Sequence, residues 1–171
     1  MNEKSIFKKI YTDYKNKNFL SVIQFAENIV LQDIEDFEIL NLIGMAYDQQ
    51  ALLEQHEVRV AQLQSEAIKI AKMMQDRWPQ QAKGYRLLGL VSQHQGNSLQ
   101  AVEFYKNAYE LNPEDPTIFL SLGNGYRANK QYDLAEMWYE KALAIENLKP
   151  YALQNLAALK EEVLQSNFKT S

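Results

Sequence analysis

The fold is decided by the segment YRLLGLVSQHQGNSLQAVEFYKNAYELNP, residues 85–113, and by its counterpart FLSLGNGYRANKQYDLAEMWYEKALAIEN, residues 119–147. Gly89 and Gly123 are 34 residues apart, and each directly follows a leucine. The alanines of the second halves, Ala101 and Ala135, keep the same 34-residue offset, and each is followed four positions later by a tyrosine. Self-similarity at a fixed period of roughly 20–50 residues is typical of proteins in which one supersecondary unit stacks on the next.

The pattern recurs upstream in a less regular form. Leu40, Ile43, Gly44 and Tyr47 repeat the spacing of the first half, Ala67-x3-Ala71 repeats that of the second half, and prolines follow at Pro79 and Pro113. Together these positions resemble the tetratricopeptide repeat (TPR), a helix-turn-helix of about 34 residues with the pattern W-x2-L-G-x2-Y, then A-x3-F, then P.

The resemblance implies an all-α fold, an α-α superhelix (TPR solenoid) of about three to four helix-turn-helix repeats with a C-terminal capping helix. We expect a single TPR domain over residues 1–171. Its parts are a degenerate repeat (3–36), a repeat with an 11-residue extension (37–81), two regular repeats (82–115 and 116–149) and the capping helix (150–168).

A competing interpretation concerns Gly123-Asn124-Gly125-Tyr126-Arg127-Ala128, which matches G-x-G-x-x-A, a form of the dinucleotide-binding fingerprint. That fingerprint requires a preceding strand and a glycine turn, whereas the repeat places these residues inside a helix. We therefore expect the repeated glycines to let two helices approach closely and predict no bound cofactor. The repeat does not explain Gly125.

The second repeat differs from the others in length. From Gly44 to Ala67 is 23 residues, whereas the matching interval in each regular repeat is 12 residues. Two geometries follow: a hairpin whose helices are each lengthened by about 8 Å, or one helix from about 37 to 77 that exchanges between chains. The apolar stripe breaks phase along this segment, which favours a hairpin with its turn near residues 54–58.

Composition narrows the class of protein. The net charge of −4 argues against a general nucleic-acid surface, and without cysteine there is neither a disulfide nor a thiolate site. No apolar stretch is long enough for a signal peptide or a membrane span, so we expect a soluble cytoplasmic protein. His56 and His94 have no metal-ligand partners at suitable spacing, and both are predicted to be surface residues. With no catalytic or metal motif, we predict that the chain is not an enzyme and holds no metal.

The TPR resemblance implies a groove lined by the first helix of each repeat, in which a peptide or a partner helix binds. The predicted groove residues are Asn41, Met45, Lys83, Arg86, Leu90, Gln93, Asn124 and Arg127. They are flanked by Glu38, Asp48, Gln49, His94, Thr117 and Leu120, and closed by Tyr151 and Gln154. The three cations predict an acidic or carboxylate-ending peptide, since arginine binds carboxylates in a bidentate manner.

The sequence thus predicts a protein-interaction module, a scaffold or chaperone-like adaptor, whose partner is a protein or peptide rather than nucleic acid or a membrane. The alternative is a homo-oligomeric assembly protein that uses the elongated second repeat as its interface. In that case Val58, Val60 and Leu63 are the expected contacts between chains.

Overall fold

The structure, a computed structural model, describes the backbone of residues 3–169 and the side chains of residues 3–165. Within this part of the chain nine α-helices and one short 3-10 helix (Leu31–Asp33) form the fold, and no residue is in a strand. The helices are α1 (Glu3–Lys15), α2 (Phe19–Glu27), α3 (Phe37–Leu53), α4 (Glu57–Arg77), α5 (Ala82–His94), α6 (Ser98–Leu111), α7 (Thr117–Ala128), α8 (Tyr132–Leu143) and α9 (Lys149–Lys169).

The helices form four consecutive hairpins, α1–α2, α3–α4, α5–α6 and α7–α8, followed by α9. Each new first helix packs against both helices of the preceding hairpin: α3 lies on α1 and α2, α5 on α3 and α4, and α7 on α5 and α6. The first helices therefore make one continuous row, α1–α3–α5–α7–α9. The all-α superhelix predicted from the sequence is confirmed.

Three of the four hairpins turn in the same way. Lys17, Gly96 and Lys130 each have a positive φ, of 58°, 80° and 58° respectively. In each turn the following residue donates its N–H to a carbonyl five residues back, as in the bond from Gln131 N to Tyr126 O at 2.9 Å. This is the Schellman arrangement, in which a left-handed residue ends the helix and satisfies carbonyls that the helix leaves unpaired.

The elongated repeat is a hairpin with a different turn. α3 ends at Leu53 and α4 begins at Glu57, so the turn is residues 54–56, inside the interval predicted from the phase break. No residue here has a positive φ; instead the Glu54 carboxylate accepts hydrogen bonds from Gln55 N at 2.9 Å and His56 N at 3.1 Å. The single-helix alternative, with exchange between chains, is not the observed geometry.

Helices within a regular hairpin meet where the glycine lies. A Cβ at Gly89 would lie 2.3 Å from Cε1 of Tyr105, and one at Gly123 would lie 2.4 Å from Cε1 of Tyr139. Both rings are fully buried. Gly125 has a related role, because a Cβ there would lie 2.8 Å from Val102 Cγ2 on α6. These glycines lie within helices α5 and α7, so the strand and turn of a dinucleotide-binding motif are not formed.

The two ends of the superhelix are atypical. Ile10 occupies the glycine position of the first hairpin and is buried, and α2 is only 9 residues long. At the other end α9 packs on α8 and buries Leu159, which is 3% exposed. None of the helices in residues 3–169 is both long and apolar enough to cross a membrane.

Candidate peptide-binding site

The candidate site is the face of the first-helix row that carries the predicted groove residues. Counting from each repeat's glycine, Asn41 on α3 and Arg86 on α5 occupy the same position, three residues before Gly44 and Gly89. Leu120 on α7 and Gln154 on α9 continue this line at 34-residue intervals. Since α3, α5 and α7 contact one another in sequence, residues at equivalent positions lie side by side along the face.

Asn41 and Arg86 each contain a buried polar atom without a partner. Asn41 is 5% exposed, and neither its Oδ1 nor the Nε of Arg86 has a hydrogen-bond partner in the described part of the chain. The Nη2 of Arg86 contacts Met45 Sδ at 3.7 Å, which holds the guanidinium against α3. Native proteins satisfy nearly all buried polar groups, so two orphans at adjacent equivalent positions are unusual.

A histidine–carboxylate pair, in which the carboxylate is buried, lies on the same face. The Nδ1 of His94 on α5 is 2.8 Å from Oδ1 of Asp48 on α3, and the Asp48 side chain is only 1% exposed. His94, predicted to be a surface residue, is instead half-buried, because the superhelix packs it against Asp48, 46 positions earlier in the sequence. His56, at the turn of the elongated hairpin, is exposed as predicted.

Two further charge pairs bridge consecutive first helices. The Nζ of Lys83 is paired with Glu38, and Arg127 donates from Nε to Glu162 Oε1 at 2.9 Å and also from Nη2. Lys83 and Arg127, two of the three predicted groove cations, are therefore neutralised within the chain. Arg86 is the cation of this set with no carboxylate at ion-pair distance among the described residues.

Two of the three bridging pairs, Asp48–His94 and Arg127–Glu162, follow one positional rule. Asp48 and Arg127 each lie four residues after the glycine of their helix, and their partners lie five residues after the matching position of the next helix. Between α5 and α7 the same rule would pair Gln93 with Ala128, whose side chain is too short to bridge. A cavity of about 280 Å³ opens there, lined by Gln93, Asn124, Arg127, Ala128 and Glu162.

Buried tyrosines supply hydrogen bonds beneath the face. The Tyr105 hydroxyl donates to Gln93 Oε1 at 3.2 Å, and the Tyr139 hydroxyl donates to Asn124 Oδ1 at 2.7 Å. Burial raises the pKa of Tyr139 to about 12 and also raises the pKa of Tyr105, so both hydroxyls remain protonated donors at neutral pH. The Oδ1 of Asn124 also accepts from Asn155 on α9 at 3.2 Å, so this amide oxygen is used inside the chain.

Tyr14 on α1 lies within electrostatic reach of Arg86 and Asp48, although it is absent from the predicted set. Burial raises the pKa of its hydroxyl, while the nearby charge of Arg86 opposes that shift and the charge of Asp48 adds to it. Tyr14 lies four residues after Ile10, the glycine-equivalent position, and so matches Asp48, Gln93 and Arg127. Extending the repeat register into α1 would have identified it. Glu162 could be found in the same way on α9.

The remaining predicted residues divide by burial. Leu90 and Leu120 are half-buried in the face, whereas Thr117, Tyr151 and Gln154 are exposed. For the predicted contacts between chains, Val58 is exposed and Val60 is half-buried. Leu63 is 1% exposed because it packs in the chain's own core, so its prediction as an intermolecular contact is wrong.

The comparisons with known proteins agree with this architecture. The family model for the tetratricopeptide repeat matches residues 82–115 and 116–147. No curated protein matches the sequence. Among solved structures, TTC0263, a thermophilic TPR protein in Thermus thermophilus, is 19% identical with a TM-score of 0.82, covering 92% of this chain and 82% of its own.

Structures of MamA are also similar. One is 18% identical with a TM-score of 0.60, covering 95% of this chain and 86% of its own. A point mutant of MamA has 16% identity and a TM-score of 0.61, covering 93% of this chain and 86% of its own. At these identities the likeness shows the fold. Proteins built from such repeats are in general non-catalytic scaffolds that bind protein partners.

Proposed function

Since this chain is a tetratricopeptide repeat protein, we propose that it is a non-catalytic binding module that holds an extended peptide of a partner protein along the first-helix row. The observation that carries the proposal is the pair of orphaned polar atoms, Asn41 Oδ1 and Arg86 Nε. A buried polar group left unpaired costs about 1–3 kcal/mol, and a ligand that pairs it recovers that energy.

The two orphans have complementary chemistry. Asn41 Oδ1 accepts a hydrogen bond, whereas Arg86 Nε–H donates one. Every peptide unit offers one N–H and one C=O. An extended backbone that crosses α3 and α5 therefore satisfies both atoms once the two side chains, whose polar atoms are buried in the free chain, turn toward it. Arg86 Nη2 contacts Met45 Sδ, which leaves the Nη1 amino group for an acidic side chain of the ligand.

Further along the row, the cavity beside Ala128 gives the ligand a place for a side chain. Its walls include Arg127 and the amide of Gln93. The Arg127–Glu162 pair is partly exposed, with 28% and 39% of the side chains accessible, and exposed ion pairs are worth at most about 1 kcal/mol. An acidic ligand side chain can therefore share Arg127 with Glu162 at small cost.

The test uses peptides selected from a displayed random library on the wild-type protein, with affinities measured by fluorescence anisotropy. Asn41→Leu and Arg86→Met should each weaken binding at least tenfold. Because each removes an orphaned polar atom, the thermal midpoint of the free chain should stay unchanged or rise. Selected peptides should be enriched in Asp and Glu.

Matched controls lie on α6, outside the row. Asn107→Leu and Lys106→Met make the same kinds of change at exposed positions and should leave peptide affinity unchanged. The proposal fails if no peptide is selected on the wild type, or if Asn41→Leu and Arg86→Met bind as well as their α6 counterparts.

A second candidate function is self-assembly through the elongated hairpin, which is favoured by the apolar residues at its tip. Leu52, Leu53 and Val58 flank the turn and are 51%, 65% and 74% exposed. Removal of 11 residues from within 52–62 restores the regular repeat length. If the hairpin is the interface, the wild type is an oligomer by light scattering and the shortened variant is a monomer; monomers in both cases refute it.

A further inference from the structure

A wide cleft lies outside the first-helix row. Its volume is about 740 Å³, and it lies between α2 with the following 3-10 helix on one side and α3–α4 on the other. Its floor includes the partly buried apolar side chains Ile29, Leu31 and Met73. Its α4 wall presents the polar side chains Arg59, Gln62, Glu66 and Lys69.

The extension of the second repeat builds this wall. Arg59, Gln62 and Glu66 all lie between Gly44 and Ala67, the interval that is 11 residues longer than in the regular repeats. α4 has 21 residues, compared with 14 in α6 and 12 in α8. The same extension carries the exposed apolar tip, so one hairpin provides both an apolar protrusion at its turn and one wall of the apolar cleft.

The charges on the α4 wall are arranged so that a second copy of α4, running in the opposite direction, places opposite charges next to each other. Arg59, Gln62 and Glu66 lie at positions i, i+3 and i+7, which share one face of a helix. The order along the face is cation, amide, anion, and Lys69 at i+10 adds a second cation, which is paired with Glu66 in the free chain. Two copies of α4 that run antiparallel about a two-fold axis near Gln62 therefore place each Arg59 opposite the other chain's Glu66, and each amide opposite its equivalent.

The same axis brings the tip toward the cleft floor. α4 starts five residues before Gln62, so its first turn lies about 8 Å from the axis at 1.5 Å per residue. In the antiparallel pair the tip of one chain then reaches the part of the other α4 that leads to Ile70 and Met73. Leu52, Leu53 and Val58 of each copy would be covered there, together with the apolar floor.

We propose that a second copy of this chain docks antiparallel on α4, so that the hairpin tip of each copy enters the cleft of the other. This deepens the assembly candidate above and rests on it. The contact is isologous, in which the same surface serves both partners. In the free chain Glu66 is paired with Lys69 at 2.6 Å, but 43% and 64% of the two side chains are accessible, and an exposed pair of this kind contributes at most about 1 kcal/mol, so Arg59 of a second copy can replace Lys69 at small cost.

The test is the oligomeric state of the full chain by sedimentation velocity over a range of concentrations. The wild type should be a dimer. Arg59→Glu and Glu66→Arg each place like charges together at two symmetric sites and should weaken dimerisation at least tenfold. The double variant Arg59→Glu/Glu66→Arg recreates both pairs with the charges exchanged, and it should dimerise like the wild type.

A matched control exchanges the charges of Glu103 and Lys106, an exposed pair on α6 at 3.2 Å, and should leave the dimer unchanged. A wild type that is monomeric at all concentrations overturns both the assembly candidate and this docking mode. The antiparallel docking alone is overturned if the single charge reversals do not weaken dimerisation. It is also overturned if they weaken dimerisation and the double variant does not restore it.

Insertion of the tip is tested separately. Leu53→Asp should weaken the dimer if the tip is buried, and an unchanged dimer in that variant refutes tip insertion.

Discussion

At the residue scale, the repeated glycines determine how closely the two helices of a hairpin approach. Gly89→Ala would place a methyl group 2.3 Å from the buried ring of Tyr105. Although alanine is better than glycine in a helix by about 1 kcal/mol, overpacking a core typically costs about 1–3 kcal/mol. We expect a net loss of stability, measured as a lower urea midpoint at unchanged slope.

Gly84 gives the control within the same helix. A Cβ there would lie 3.3 Å from Cγ of Gln75, a flexible side chain that can move. Gly84→Ala should therefore change the free energy of unfolding by less than about 1 kcal/mol. If Gly89→Ala is as stable as Gly84→Ala, the glycine–tyrosine contact does not set the helix spacing.

A second residue-scale prediction concerns Asp13, which ties α1 to α2. Its carboxylate accepts hydrogen bonds from Lys9 Nζ at 2.9 Å and from Ser21 Oγ at 2.8 Å, and these two partners hold its pKa below the ordinary value, Lys9 contributing most. A lowered native pKa adds stability above the unfolded-state value of about 4. That stability is lost as the pH falls through the native value.

Asp13→Asn should therefore lower the free energy of unfolding by about 1 kcal/mol at pH 7. The gap between variant and wild type should narrow as the pH is lowered below about 4. Urea titrations at a series of pH values measure this difference. A gap that is constant with pH would show that the ionised carboxylate contributes nothing specific.

The sequence predicts which residues share the candidate site but not how they pair. Asn41 and Arg86 lie side by side because each precedes the glycine of its helix by three residues, and this shared position can be read from the sequence even though the two residues are 45 positions apart. The pairing of Asp48 with His94, or of Arg127 with Glu162, depends on side-chain reach between helices. The orphaned atoms could not be predicted from the sequence, because only the packed structure shows which polar atoms are buried and which of them have no hydrogen-bond partner.

At the element scale, the residue that ends the first helix of a hairpin with a positive φ is lysine in two turns and glycine in a third. Lys17, Gly96 and Lys130 end their helices with a positive φ, but only glycine adopts this conformation without a steric penalty. Lys130→Gly should therefore stabilise the protein by up to about 1 kcal/mol, and Gly96→Ala should destabilise it by a similar amount. Thermal midpoints measure both; a loss of stability in Lys130→Gly would contradict the argument.

The elongated hairpin was predictable as an element, whereas the cleft beside it was not. The absence of Gly, Pro and Asn between Asp48 and Lys69 indicated continuous helix, and the phase break indicated a turn. The cleft arises because α4 is long while the neighbouring α2 has only 9 residues. That mismatch depends on where α2 ends, and element boundaries are the least certain part of a sequence-based assignment.

At the scale of the whole molecule, we expect the local free energy of unfolding to differ between the N-terminal and C-terminal parts of the superhelix. The largest apolar cluster extends from Ile6 to Val91, and a second extends from Ala82 to Leu159, so the two meet at α5. In a solenoid each repeat contacts only its neighbours, and a local loss spreads by nearest-neighbour coupling. Loss of a contact in α9 should therefore loosen the C-terminal hairpin first.

Leu159→Ala tests this coupling. Leu159 is 3% exposed on α9, and truncating a buried leucine costs about 2–5 kcal/mol. Native-state hydrogen exchange should show faster exchange in α7, α8 and α9, by about tenfold for each 1.4 kcal/mol lost, while the amides of α3 and α4 keep their protection. Leu153→Ala, on the same helix but 53% exposed, should change neither region. An equal rise in exchange from α1 to α9 would instead show that the chain opens as one cooperative unit.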